Sequence, residues 1–107
     1  MNLKAMADEL ELEEHEYIEL IHLFIETSAT DVEILKSALA NGDAENAANA
    51  AHSIKGAAGN LRLNDLYETA KKMEMAARDG NLEHVSGDFV ILIKELTSIE
   101  TLTEGRF

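Results

Sequence analysis

Residues 51–61 read Ala-His-Ser-Ile-Lys-Gly-Ala-Ala-Gly-Asn-Leu, and they hold the residue types that most clearly invite chemistry. His52 is followed by Lys55 and Gly56 in an alanine-rich stretch with helical spacing. On a helix, positions i, i+3 and i+4 share a face. These three residues therefore make one patch: a nucleophile, a cation, and a place with no side chain.

A helix from about Ala44 to Leu61 has two sides. Ala44, Ala47, Ala50, Ala51, Ile54, Ala57, Ala58 and Leu61 cover a broad apolar arc, and His52 points roughly 160° from its centre. Glu45, Asn49, Lys55, Gly56 and Gly59 share the histidine's stripe. His52 is thus expected outside the core. The glycines need a reason, because each costs about 1 kcal/mol relative to alanine inside a helix. One reason is a flat approach cleared for another protein's active site. The plainer one is that they loosen the helix near its end or admit a neighbouring helix.

A neutral imidazole attacks phosphoryl groups through a ring nitrogen at neutral pH. A phosphorylated side chain carries roughly −1.5 to −2 charges, and Lys55, one turn away, is placed to pair with them. As an exposed lysine it would add little to folding. Metal binding is disfavoured, since Ala48 and Gly56 at i±4 from His52 are not ligands. No Ser or Cys nucleophile with an orienting acid is evident, which disfavours hydrolysis. His15, His22 and His84 show no ligand constellation.

The elements that must carry this face are helical. Proline is absent, aromatics are few, and Ala, Leu, Glu and Lys are common. Ile18, Ile21, Ile25, Ser28, Val32, Leu35 and Leu39 step by 3 and 4 through a helix from about Glu13 to Ala40. Leu63, Leu66, Ala70, Met73 and Ala77 repeat the step, as do Leu82, Val85, Phe89, Leu92, Leu96 and Ile99. Met73 and Met75 read as core and groove filling. Asn41-Gly42-Asp43 and Asp79-Gly80-Asn81 supply a glycine stop followed by a capping side chain. The break near Arg62 is weaker, with Asn64 as the expected cap. Gly87 is a weak point at which the last helix could start later than Leu82. Short connections predict an all-α, antiparallel up-down-up-down four-helix bundle. A short N-terminal capping helix near Ala7–Leu12 is expected on one end of it.

Antiparallel packing sets residue 52 level with about residue 72 on the next helix. Lys71, Glu74 and Arg78 form a stripe there. Glu74 can accept a hydrogen bond from the imidazole and orient it, while Lys71 or Arg78 adds positive charge. The same stripe also reads as a solvated face stapled by Glu74–Arg78 and Lys71–Glu74 pairs.

With these residues in place, the chain resembles a histidine-phosphotransfer (HPt) domain of two-component multistep phosphorelays. The resemblance rests on residues 51–61 and continues through Leu66, Ala70, Met73, Glu74 and the 78–81 turn. It implies that His52 is the phosphoacceptor, taking phosphate from the aspartyl-phosphate of one receiver domain and passing it to another. The family's lysine falls on Lys55, its glycine on Gly56 and its polar position on Glu74. Gly59, Asn49, Lys71 and Arg78 join the partner-binding face. The resemblance also implies no cofactor or metal of its own, with Mg²⁺ supplied by the partner receiver. The implied partners are response-regulator receiver domains and a hybrid histidine kinase. The phosphoacceptor domain of chemotaxis-type kinases carries a similar motif but is phosphorylated directly by an ATP-binding kinase domain. A receiver-binding bundle that carries no phosphate is a third reading, against which the intact His52–Lys55–Gly56 set argues.

Length and charge agree. At 107 residues and 46 % hydrophobic content the chain reads as one domain, residues 1–107. The net charge of −12 argues against a nucleic-acid partner. Residues 1–50 hold twelve acids against Lys4 and Lys36, whereas five of the nine bases lie between Lys55 and Arg78. Without cysteine there are no disulfides or thiolate sites. No apolar run approaches the ~20 residues of a membrane span, and the N-terminus lacks the apolar core of a signal peptide. A cytoplasmic monomer is the expectation; a start at Met1 fits a free-standing protein, and an excised C-terminal module of a hybrid kinase would look the same.

Overall fold

The computed structural model describes residues 2–104, and every regular element within them is helical. Helix α1 spans Leu3–Glu9, α2 Glu14–Asn41, α3 Ala44–Asn60, α4 Asn64–Arg78 and α5 Leu82–Thr103. Local chemistry sets most of these ends. Asn2 opens α1 by accepting from Ala5 N at 3.1 Å. Glu16 reaches back to Glu13 N at 2.9 Å and fixes the start of α2. Gly42 closes α2 at φ 67, a left-handed conformation that glycine enters without Cβ strain. Asp43 then caps α3 through Asn46 N, and Asn81 caps α5 through His84 N, each at 3.1 Å.

Helix α3 packs against α2 and α4, α5 packs against α4 and α2, and α1 lies on α2. One buried cluster draws on all five helices. The alanines of α3 make its central place feasible. Ala47, Ala48, Ala50, Ala51 and Ala58 are buried with Ile54, so two neighbouring helices can close on short side chains. Leu66, Met73, Val85 and Leu92 fill the α4–α5 side, each of them worth roughly 1.5–3 kcal/mol on full burial. The Tyr17 hydroxyl of α2 donates to the carbonyl of Leu61 and ties down the end of α3. Burial, helped by Glu9, pushes this phenol up to about 12, which keeps its proton in that bond.

Several boundaries differ from the sequence reading. The first helix begins and ends earlier than Ala7–Leu12, because Asn2 starts it and Glu11 turns left-handed at φ 58. Asn64 is the first residue of α4 rather than its cap. Leu63 holds the cap position without a side-chain bond, after Arg62 at φ 61. Helix α5 starts at Leu82 and runs unbroken through Gly87, because the Asn81 cap and a continuous apolar stripe outweigh one glycine. The apolar step in α2 also misses Tyr17, Phe24 and Ala38, which are buried beside Ile18, Ile21, Ser28 and Leu35. A straight helix drifts about 20° per heptad, so its buried face widens over 28 residues. Met75 is 61 % exposed and fills no core; only Met73 does.

Candidate functional site

The alanine face that buries α3 turns its opposite side outward, and His52 stands there with its side chain 63 % exposed. Glu74, across the groove on α4, is only 11 % exposed, because the apolar stripe Leu66–Ala70–Met73–Ala77 rotates it toward α3. It is the hub of the site. Its Oε2 lies 3.0 Å from His52 Nδ1 and accepts from Arg78 Nε at 3.1 Å and Nη2 at 2.8 Å. Its Oε1 lies 2.7 Å from Lys55 Nζ.

Burial on its own pushes the Glu74 carboxyl pKa up. Hydrogen bonds from Lys55, Arg78 and His52, with the Lys55 charge, outweigh that and hold it at about 2. Glu74 is therefore a carboxylate at neutral pH, and a carboxylate can only accept. The proton in the contact belongs to Nδ1, which leaves the lone pair of the neutral ring on Nε2. Among the described residues no hydrogen bond or ion pair engages Nε2. The arrangement is an oriented nucleophile on an open surface with two cations close by.

The other expected residues divide. Gly56 is exposed, and a Cβ there would meet nothing within 4 Å, so the space beside His52 is clear. Gly59 is different: a Cβ would sit 3.2 Å from Tyr67 Cδ2, so its missing side chain is explained by α3–α4 packing. Asn49 is exposed one turn before His52. Lys71 is exposed but stands outside the cluster, and no Lys71–Glu74 pair forms; Lys55 takes that oxygen instead. Lys55 is also not the free surface lysine expected from sequence. It is 24 % exposed and paired to a buried carboxylate, so its removal must affect folding.

Two contacts escaped the sequence reading. Lys55 bridges α3 to α4, and Ser53 Oγ donates to Asp31 Oδ2 of α2 at 2.8 Å. The usable signal was position, since residues level across a helix pair meet when their faces converge. Ser53–Asp31 is not a hydrolytic pair, because the imidazole beside it is turned toward Glu74. His22 pairs with Glu26 and His84 with Asp88, each at 3.2 Å, and His15 is exposed. Among the described residues no group of three or more His, Cys, Asp or Glu is placed to hold a metal ion. Among the described residues no helix is long and apolar enough to cross a membrane.

Fold and site together define a helical bundle that displays one carboxylate-held histidine on its surface. The sequence profile of the Hpt domain matches residues 19–102, and the chain belongs to that family. Hpt domains act in phosphotransfer in two-component signalling and interact with receiver domains and kinases. The matched region takes in most of α2 and all of α3 and α4, with α5 up to its final residue, and leaves α1 outside. No match was found among curated proteins or among solved structures.

Proposed function

We propose that Nε2 of His52 carries a phosphoryl group between receiver domains. In the forward step its lone pair attacks the phosphorus of a receiver aspartyl-phosphate. The N–P bond forms as the P–O bond to the aspartate breaks, and that electron pair leaves with the receiver carboxylate. Transfer to a second receiver reverses these bonds. The observation that carries this reading is the His52–Glu74 contact, which places the ring proton on Nδ1 and leaves Nε2 toward solvent beside the open Gly56.

In this reading Lys55 and Arg78 supply positive charge near the transferred group. Gly56, Asn49 and Lys71 belong to the docking face, and Gly59 keeps α3 close to α4 beneath it. Leu20, Leu23 and Ile34 on α2 and Met75 on α4 are exposed apolar side chains on the two helices that flank α3. Mg²⁺ and the acidic pocket come from the receiver, so this chain needs no cofactor of its own. A hybrid kinase feeds the relay, and the chain works as a cytoplasmic monomer and as one domain over its 107 residues. The four long helices run up-down-up-down. Support comes from their short connections and from the contacts Tyr17–Leu61 and Asp31–Ser53, whose order reverses between α2 and α3.

The test is to incubate the protein with a receiver domain labelled on its aspartate. An acid-labile, base-stable label should move to His52 and on to a second, unlabelled receiver. If the protein takes label only from an ATP-binding kinase domain and never from a receiver, the relay reading fails in favour of direct kinase phosphorylation.

A further inference from the structure

The groups that face His52 are few. Lys55 comes from α3, Glu74 and Arg78 from α4, and Asp31 of α2 stands behind Ser53. Among the described residues only Glu74 makes a hydrogen bond or ion pair with the ring, and it does so at the nitrogen that does not react in this reading. Both neighbouring cations are also spent on the same carboxylate, Lys55 on Oε1 and Arg78 on Oε2. The site is therefore built around the ring's far side at least as much as around the phosphoryl group.

Resting on the carrier role proposed for His52, we infer that Glu74 is a positioning residue that keeps phosphohistidine easy to discharge, by holding the proton on Nδ1 after Nε2 is phosphorylated. When the N–P bond breaks, its electron pair returns to Nε2. With Nδ1 protonated the leaving group is neutral imidazole. With Nδ1 bare it is an imidazolate anion, a far poorer leaving group. A carboxylate 3.0 Å from Nδ1 favours the protonated ring by a charge-assisted hydrogen bond. The carrier holds its phosphate briefly and gives it up readily.

The experiment labels the parent protein and Glu74→Gln with phosphoramidate, a small donor that needs no receiver. Loss of label is then followed between pH 6 and pH 9. Glutamine keeps the shape and an accepting oxygen but not the charge. The alkaline decline in discharge rate should move to lower pH in Glu74→Gln by about one unit, and at pH 8 its label should outlive the parent's by about tenfold, the scale of one hydrogen bond to a charged group. A purely structural role for Glu74 would alter melting but not the pH at which the label becomes long-lived. If Glu74→Gln does not stay folded, Glu74→Asp replaces it, with the charge drawn back from Nδ1 and a smaller shift in the same direction. Coincident pH profiles for labelled parent and variant would overturn the inference and leave the carrier role standing. A parent that takes no label from phosphoramidate or from a receiver removes both.

Discussion

His52 Nδ1 and Glu74 Oε2, twenty-two residues apart in the chain, stand 3.0 Å from each other across the α3–α4 groove. The contact gives the imidazole a fixed tautomer and a fixed orientation, two properties an exposed histidine on a single helix lacks. It also joins His52 to a carboxylate that binds Lys55 and Arg78, so charge, orientation and folding meet at one side chain.

His52→Gln should abolish phosphate acceptance while the helical signal and melting temperature stay close to the parent, because the side chain is largely outside the core. Label persisting on His15, His22 or His84 in that variant would show the acceptor to be elsewhere.

Gly56→Gln tests access separately from chemistry. Nothing obstructs a Cβ there, so the helix should gain up to about 1 kcal/mol. Transfer from a receiver should slow at limiting receiver concentration. Unchanged transfer would make Gly56 irrelevant to docking.

Gly59→Leu should behave in the opposite way in a thermal melt. Its Cβ begins 3.2 Å from the Tyr67 ring, and overpacking of this kind costs roughly 1–3 kcal/mol. A melting temperature at or above the parent's would mean that the α3–α4 groove is looser than its geometry indicates.

Lys55→Ala should slow phosphotransfer by about tenfold and also lower stability, by about 1–3 kcal/mol, since it strips a hydrogen-bonded cation from a buried carboxylate. Kinetics from a small donor and from a receiver, together with a denaturant titration, separate the two effects. Parental rates from both donors would reduce Lys55 to a structural bridge.

Acid should weaken the fold through Glu74. Its pKa is depressed in the folded state, to about 2 from an ordinary 4.5. The stabilisation is therefore complete above pH 4.5 and is lost as pH falls from there toward 2. The full difference corresponds to about 3 kcal/mol. Melting temperatures of the parent and Glu74→Gln should converge through that window, and parallel profiles would refute the assignment.

Glu95 carries the opposite sign. Burial, with Asp65 nearby, raises its pKa against the opposing pull of Thr69 and Lys72, and its Oε1 is buried without a hydrogen-bond partner. The folded state binds this proton more tightly than the unfolded chain does, so the contribution improves as pH falls through the raised value. Glu95→Gln should raise the melting temperature at pH 7 and shrink the gain seen on moving to pH 5. A loss at pH 7 would show that the charged carboxylate is being stabilised after all.

Much of this protein was legible along the chain. Helix α3, its outward histidine, the Gly42–Asp43 stop and cap, and the buried set Leu66, Ala70, Met73 and Ala77 follow from 3.6-residue periodicity and from residues whose conformational preferences act within a few positions. The nearness of Glu74 to His52 could be inferred from the same periodicity once two helices were set side by side. What only the tertiary structure decided depends on distances between helices. Gly56 and Gly59 look alike in sequence, yet Tyr67 lies against one and nothing lies against the other. The sequence pairs Glu74 with Lys71 or Arg78 on its own helix, and the rotation of α3 against α4 brought Lys55 to one of its oxygens instead of Lys71. Local propensity cannot choose between such pairs, because the choice rests on how far apart two helix surfaces come to lie when their small and large side chains interlock.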